Sequence, residues 1–333
     1  MTDHRFRSDV PPVAAGVARP QWSVMIPTYN CARYLRAALT SVLAQDPGPE
    51  SMQIEVVDDA SDDDPESVVA ELGRGRVEFF RQPENVGHTR NFDTCLRRAR
   101  GHLVHQLHGD DEVLPGFYER LGAGFTARPD VGAAFARHVL IDEDGHWQYI
   151  TALERREPGV LDGWLERIAV EQRLQTPSIA VRRSVYEKLG SFDQRLRVTE
   201  DWEMWVRVAA NYPVWYEPEI LALYRMTAQS HSKRTFRTGE NIRDLRRAIA
   251  INRETLTPEE GSRLTRRALR AAGRAADRRG YELLAAGENA GAVRQGLEAL
   301  RTARSREVVF STAGLFVRAL RNRIRARPTK AAS

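Results

Sequence analysis

Gly101-His102-Leu103-Val104-His105-Gln106-Leu107-His108-Gly109-Asp110-Asp111-Glu112 is the stretch on which the reading of this chain turns. Its apolar run reads as a short buried strand, and that strand delivers two adjacent carboxylates at its carboxyl end. In an open α/β sheet this edge is the usual ligand crevice. Asp110 and Asp111 repel each other when ionised and partly buried, and a divalent cation with hard oxygen ligands relieves the repulsion. A phosphate-bound Mg²⁺ or Mn²⁺ meets that demand, and a solvated acidic turn is the plain alternative.

Upstream the same pattern occurs three times. Residues 22–27 (Trp-Ser-Val-Met-Ile-Pro) form a short apolar run closed by proline, with Thr28-Tyr29-Asn30 as its exit loop. Leu35, Ala38, Leu39, Val42 and Leu43 then fall on one helix face, which stops at Asp46-Pro47-Gly48-Pro49. Residues 53–57 predict a second strand ending in Asp58-Asp59-Ala60-Ser61, and residues 62–64 can cap a helix running to about Leu72. Residues 77–81 predict a third, followed by the turn Pro83-Glu84-Asn85-Val86-Gly87 and a helix over 89–100. Such alternation predicts a mostly parallel central sheet with helices on both faces, and it aligns the strand-end clusters on one edge.

The chain has 333 residues and a net charge of +5, which hides an asymmetry. From residue 233 onward there are 24 Lys and Arg against 10 Asp and Glu, while the rest has 26 against 35. An acidic body and a basic C-terminal region follow. Two cysteines, Cys31 and Cys95, lack metal-ligand spacing and fit a reducing compartment. No segment has the length and apolarity of a membrane span or a signal peptide, so a cytoplasmic location is expected. No Gly-x-Gly-x-x-Gly follows the first strand and no Walker-type loop is present, which argues against dinucleotide oxidoreductases and phosphate-loop NTPases.

Ile26-Pro27-Thr28-Tyr29-Asn30, Val57-Asp58-Asp59-Ala60-Ser61, Asn85-Val86-Gly87, Gly109-Asp110-Asp111 and Thr199-Glu200-Asp201-Trp202 resemble, in order, the motifs of family 2 glycosyltransferases with a GT-A fold. The resemblance covers residues 22–232, and each motif is weak alone. It implies an inverting transfer of a sugar from a UDP- or dTDP-sugar to an acceptor hydroxyl. Pro27, Thr28, Tyr29 and Asp59 match positions that hold the nucleotide, Asp59 through the ring N–H of the base, and Arg90 matches a basic position near it. Asp110 matches the metal ligand that anchors the diphosphate, with Asp111 beside it, and Asp201 matches the catalytic base.

Two departures stand out. His108 replaces the first Asp of the Asp-x-Asp signature, a nucleotide-binding position. Thr227 stands where the late Tyr-Arg-x-His motif has its histidine, and His231, four residues beyond, becomes a further candidate metal ligand.

Position alone makes Asp201 an N-terminal helix carboxylate, since Trp202, Trp205, Val206 and Ala209 predict an amphipathic helix. An inverting transfer nevertheless needs a base opposite the leaving nucleotide, which suits an acid distant in sequence from the metal pair. Between the motifs, residues 131–140 predict a strand running into a solvated acidic turn at residues 142–145. Trp147, Tyr149 and Trp164 are candidates for the acceptor side or for packing.

The expected organisation is a disordered tail over 1–20, the GT-A domain over 21–232, and a basic α-helical region over 233–333. Helices are expected at 241–253, 258–279, 281–286 and 290–303. Residues 308–327 mix apolar residues with arginines, the pattern of a peripheral membrane helix on anionic lipid or of a helix docked on the body. No recognisable nucleic-acid fold accompanies the basic charge, and no nucleic-acid partner is expected. The rival classes are a nucleotidyltransferase, which lacks its Gly-rich loop and lysine here, and a non-catalytic GT-A-like interaction or membrane-recruitment protein, which could lose the acids kept here.

Overall fold

The computed structural model describes residues 4–227 and 231–325. Its elements run β1 (Trp22–Thr28), α1 (Ala32–Leu43), β2 (Met52–Asp58), α2 (Pro65–Gly73), β3 (Glu78–Arg81), α3 (His88–Arg98), β4 (Leu103–Gln106), β5 (Glu112–Val113), α4 (Phe117–Ala127), β6 (Ala133–Ile141), β7 (Trp147–Ile150) and β8 (Gly159–Val160). There follow α5 (Trp164–Ile168), β9 (Ile179–Arg182), α6 (Arg183–Leu189), α7 (Glu200–Asn211), β10 (Val214–Arg225), α8 (His231–Thr238), α9 (Glu240–Thr255), α10 (Pro258–Ala285), α11 (Asn289–Thr302) and α12 (Arg306–Arg325).

One sheet holds the strands in the order β3-β2-β1-β4-β9-β6-β10-β5, with β7 on β6 and β8 on β10. Strands β1, β2, β3 and β4 pair in parallel, as do β6 and β10, while β9 runs antiparallel between β4 and β6. Both β1 and β2 are buried along their whole length, which is why they read as continuous apolar runs rather than alternating ones. Leu35, Ala38, Leu39 and Val42 of α1 pack against Val24, Ile26 and Val56 in the principal core.

Two compact units result. One comprises the residues up to Leu165, Gln172–Arg195 and Glu200–Met226; the other comprises Glu166–Glu171, Leu196–Thr199 and the chain from Thr227. The basic unit therefore takes two short segments from within the expected catalytic domain. Asp244 of α9 gathers one of them, accepting from the backbone N–H groups of Arg197, Val198 and Thr199 at 3.2, 2.9 and 3.1 Å.

The expected loose N-terminal tail is a correction. Arg7 is buried and reaches Glu203 of α7 at 2.9 Å and Asp193 at 3.3 Å. Ser8 donates to Asp93 at 2.6 Å, and the Pro11 carbonyl accepts from Arg183. A segment rich in Pro, Ala and Arg looks unstructured because its own residues build no core. Here its order comes from partners as much as 196 residues away in sequence.

Two of the helices expected in the basic unit are one. The α10 helix opens with a Thr257/Glu260 capping box and runs on through Gly280, where an added Cβ would meet Leu315 of α12 at 3.1 Å. That glycine permits close helix packing instead of a break.

Candidate active site

The strand-end clusters interlock through their backbones. Gly109 donates its N–H to the Pro27 carbonyl at 3.0 Å, and a Cβ at Gly109 would fall 2.6 Å from Thr28 Oγ1. Glycine is therefore required between His108 and Asp110 for the β1 exit loop to lie against them. Asp59 donates its N–H to the Thr28 carbonyl at 2.9 Å, and Asn30, at φ 48°, ties the same loop to Ser61 at 2.9 Å. Tyr29 is exposed.

Asp59 is buried, and its two oxygens accept from the N–H groups of Val86 at 2.7 Å and Gly87 at 3.0 Å. Burial raises its pKa against the pull of these amides. The carboxylate thus shapes the Asn85-Val86-Gly87 turn, and each oxygen keeps a second lone pair for a ligand. Arg90 lies exposed in the first turn of α3.

Beyond β4, the acid pair is fixed by Arg225, the last residue of β10. The Arg225 backbone N–H donates to Asp111 Oδ1 at 2.8 Å and its Nε to the Asp110 carbonyl at 3.0 Å. Its guanidinium bonds to Glu112 and to the carbonyls of Asp142 and Glu143, and lies 4.9 Å over the ring of Tyr34. Asp111 is fully buried, and among the described residues its Oδ2 has no hydrogen-bond partner. Burial lifts Asp110 to about 6, and burial with the Asp110 charge lifts Asp111 well above the ordinary carboxylate range.

His108 completes this cluster. Its Nδ1 lies 3.5 Å from Asp111 Oδ2, and its Nε2 is buried without a partner. Ligand atoms of His108, Asp110 and Asp111 all lie within 4.8 Å of one another. Burial pushes His108 down to about 4, so its imidazole is neutral near pH 7. Two acids that burial penalises, an unsatisfied carboxylate oxygen and a neutral imidazole together form a donor set that suits a divalent cation.

A second set of acids, Glu200 and Asp201, begins α7, and Glu200 interacts electrostatically with His108. Asp201 lies in the first turn, with Oδ1 accepting from the Trp202 N–H at 2.7 Å and Oδ2 from Gln172 at 2.8 Å and Thr176 at 3.4 Å. Burial, then the neighbouring Glu200 charge, raise it to about 7. Burial alone would raise Glu200 as well, but His88, with Nε2 at 3.1 Å, and the nearby His108 hold it below the usual value. The ring of Phe92 stacks on His108 at 5.1 Å and meets His88 edge-on at 5.7 Å. Acids about ninety residues apart in sequence are thereby joined through Glu200, His88 and His108.

Gln172 and Thr176 escaped the sequence reading as partners of Asp201, and so did the His88–Glu200 pair. Only His88 carried a signal, standing directly after Asn85-Val86-Gly87. Trp164 is buried and stacked on Phe135 at 4.8 Å, whereas Trp147 and Tyr149 are exposed on β7. Thr227 is buried. The side chain of His231, which begins α8, lies outside the described residues.

Comparisons with known proteins place the fold and the family. The family model described as glycosyl transferase family 2 matches residues 23–190. An uncharacterized protein of Mycobacterium tuberculosis is 32% identical over 253 residues, covering 71% of this chain and 77% of that protein. The succinoglycan biosynthesis protein ExoU of Rhizobium meliloti is 28% identical over 257 residues, covering 73% and 70%. Among solved structures, S. aureus TarS in complex with UDP-GlcNAc superimposes with a TM-score of 0.65 at 16% identity, covering 91% of this chain and 89% of that one. The mannosyltransferase PcManGT of Pyrobaculum calidifontis, with GDP-Man and Mn²⁺, gives 0.57 at 18% identity, covering 96% and 91%. The sheet order and its aligned strand-end clusters are those of a GT-A fold, and the chain belongs to glycosyl transferase family 2, whose reaction is the transfer of a glycosyl group.

Proposed function

We propose that the protein is an inverting, metal-assisted glycosyltransferase that moves a sugar from a UDP- or dTDP-sugar to an acceptor hydroxyl, with Asp201 as general base. The observation that carries this reading is the gathering of ligand atoms of His108, Asp110 and Asp111 within 4.8 Å of one another, while Glu200, the neighbour of Asp201, pairs with His88 at 3.1 Å and interacts electrostatically with His108. The nucleotide lies against the Pro27–Thr28–Tyr29 loop and Asp59, with Arg90 nearby. Mg²⁺ or Mn²⁺, when held by Asp110 with Asp111 and His108, supplies positive charge to the departing diphosphate. The structural neighbours TarS, bound to UDP-GlcNAc, and PcManGT, bound to GDP-Man and Mn²⁺, support a nucleotide-sugar donor and a divalent cation.

Asp201 accepts the acceptor's proton as the hydroxyl oxygen attacks the anomeric carbon from the face opposite the diphosphate. One bond forms as the other breaks, so the configuration inverts and no covalent enzyme intermediate is needed. A carboxyl with a pKa of about 7 is matched to this task at neutral pH. Gln172 and Thr176 aim its Oδ2, and Glu200, held by His88, keeps negative charge beside it.

Asp201→Asn tests the assignment, because it preserves size and cannot take the proton. Turnover should fall by about 10²- to 10⁴-fold with donor affinity unchanged. The wild-type product, examined by NMR, should show the anomeric configuration opposite to the donor's. Near-full activity in the variant, or retained configuration, would remove Asp201 from this role.

A further inference from the structure

The last helix carries two apolar faces, and the fold uses one of them. Val308, Thr312, Leu315 and Ala319 of α12 are buried, Leu315 and Ala319 among Leu283, Leu284 and Ala292. Thr312 donates to Asp277 at 2.9 Å on the same side. At about 100° per residue, Val309, Phe310, Ala313, Val317, Leu320 and Ile324 fall in a second stripe roughly 140° round the helix from the first. Phe310 is 75% exposed, Ile324 62%, Leu320 58% and Val317 50%. A contiguous exposed stripe of this kind marks an interaction surface.

Charge selects the occupant. After Glu307 the chain contains no acid, while Arg318, Arg321 and Arg323 lie exposed beside the stripe and Arg325, Arg327 and Lys330 follow in sequence. Pairing the stripe with its copy on a second molecule would set arginine against arginine with no carboxylate to compensate. An anionic bilayer supplies what both halves of the surface lack, headgroup phosphates for the arginines and acyl chains for the apolar side chains. Among the described residues no helix is long and apolar enough to cross a membrane, so the contact is in the plane of the surface.

We propose that α12 is an in-plane membrane helix that holds this enzyme on anionic lipid through Phe310, Val317, Leu320 and Ile324. The inference is independent of which residues perform the transfer. Electrostatic attraction alone is not its signature, because Arg266, Arg270, Arg274 and Arg304 ring a separate groove of about 520 Å³ in the same unit. The apolar side chains are therefore the decisive target.

The full-length protein is co-sedimented with phosphatidylcholine vesicles and with vesicles containing roughly one-third phosphatidylglycerol, at about 0.05 M and about 0.5 M NaCl. Binding is expected only to the anionic vesicles, weakening about tenfold or more at high salt. Phe310→Ser/Leu320→Ser and Arg321→Glu/Arg323→Glu should each weaken it by about tenfold or more. Their melting temperatures should stay at the wild-type value, because these side chains are exposed. Wild-type protein that ignores anionic vesicles at low salt would overturn the proposal. So would a Phe310→Ser/Leu320→Ser variant that binds like wild type, or a wild-type dimer in solution that this variant dissolves.

Discussion

The acid pair that follows β4 and the Asp201 carboxyl at the start of α7 are held by opposite means. Asp110 and Asp111 are fixed by Arg225, yet its guanidinium is committed to Glu112 and to backbone carbonyls, and Asp111 Oδ2 is left without a partner. Among the described residues Asp201 accepts from neutral groups, Gln172, Thr176 and the Trp202 backbone, with the Glu200 charge beside it. Burial raises all three pKa values. What separates the proposed roles is the company each acid keeps: a carboxylate pair with an unsatisfied oxygen suits a cation, and a carboxyl held by neutral donors beside the Glu200 charge, with a pKa of about 7, suits a proton.

The α7 side of the site, which holds the proposed base, is tied to the N-terminal segment through Arg7 and Glu203, and breaking that link gives the largest stability effect expected. Arg7→Ala removes one cation from a buried network in which Glu203 keeps Arg207 at 2.9 Å and Asp193 keeps Arg195 at 2.7 Å. A loss of about 3 kcal/mol, at the low end for a broken buried ion pair, should appear in urea unfolding. Nucleotide affinity of the folded protein should be unchanged, since Arg7 contacts α7 and not the acid pair. A loss below about 1 kcal/mol would make the segment an incidental contact.

A smaller effect distinguishes the proton-binding acid by pH. The folded-state pKa of Asp201, about 7, lies above its unfolded value, so the folded state binds the proton more tightly. Its stability contribution is whole below about pH 4 and is lost as pH rises toward 7. Asp201→Asn cannot ionise, so relative to wild type it should gain on the order of 2 to 3 kcal/mol of stability between pH 5 and pH 8. Thermal unfolding from pH 5 to 8 measures this, and a constant difference across the range would show that Asp201 is ionised throughout.

Much of this site was legible because each strand is a short apolar run that ends in polar residues, so the motifs could be placed on one edge before any contact was known. The acids that follow β4 were readable for the same reason, whereas Asp201, at a helix start, was singled out by the family resemblance and the need for a base remote from the acid pair. What could not be read depends on tertiary partners. Strand β10 is broken by register shifts between Glu217, Ile220 and Ala222, around Pro218, and so shows no clean period. Gln172 lies in a stretch with neither helical nor strand periodicity, and a glutamine there has no local mark of function. Arg7 looks like tail composition until Glu203 is brought to it.

The central claim is that the two acid sets divide the work, one holding the nucleotide through a cation and the other moving a proton. Its most direct test is the thermal shift given by UDP and by dTDP, each with and without Mn²⁺, for wild type, Asp110→Asn and Asp201→Asn. A nucleotide at about 100 times its dissociation constant should add roughly 2.7 kcal/mol to the folded state. The account predicts an Mn²⁺-dependent nucleotide shift in wild type and in Asp201→Asn, and none in Asp110→Asn. An undiminished Mn²⁺-dependent shift in Asp110→Asn, or its loss in Asp201→Asn, would contradict it.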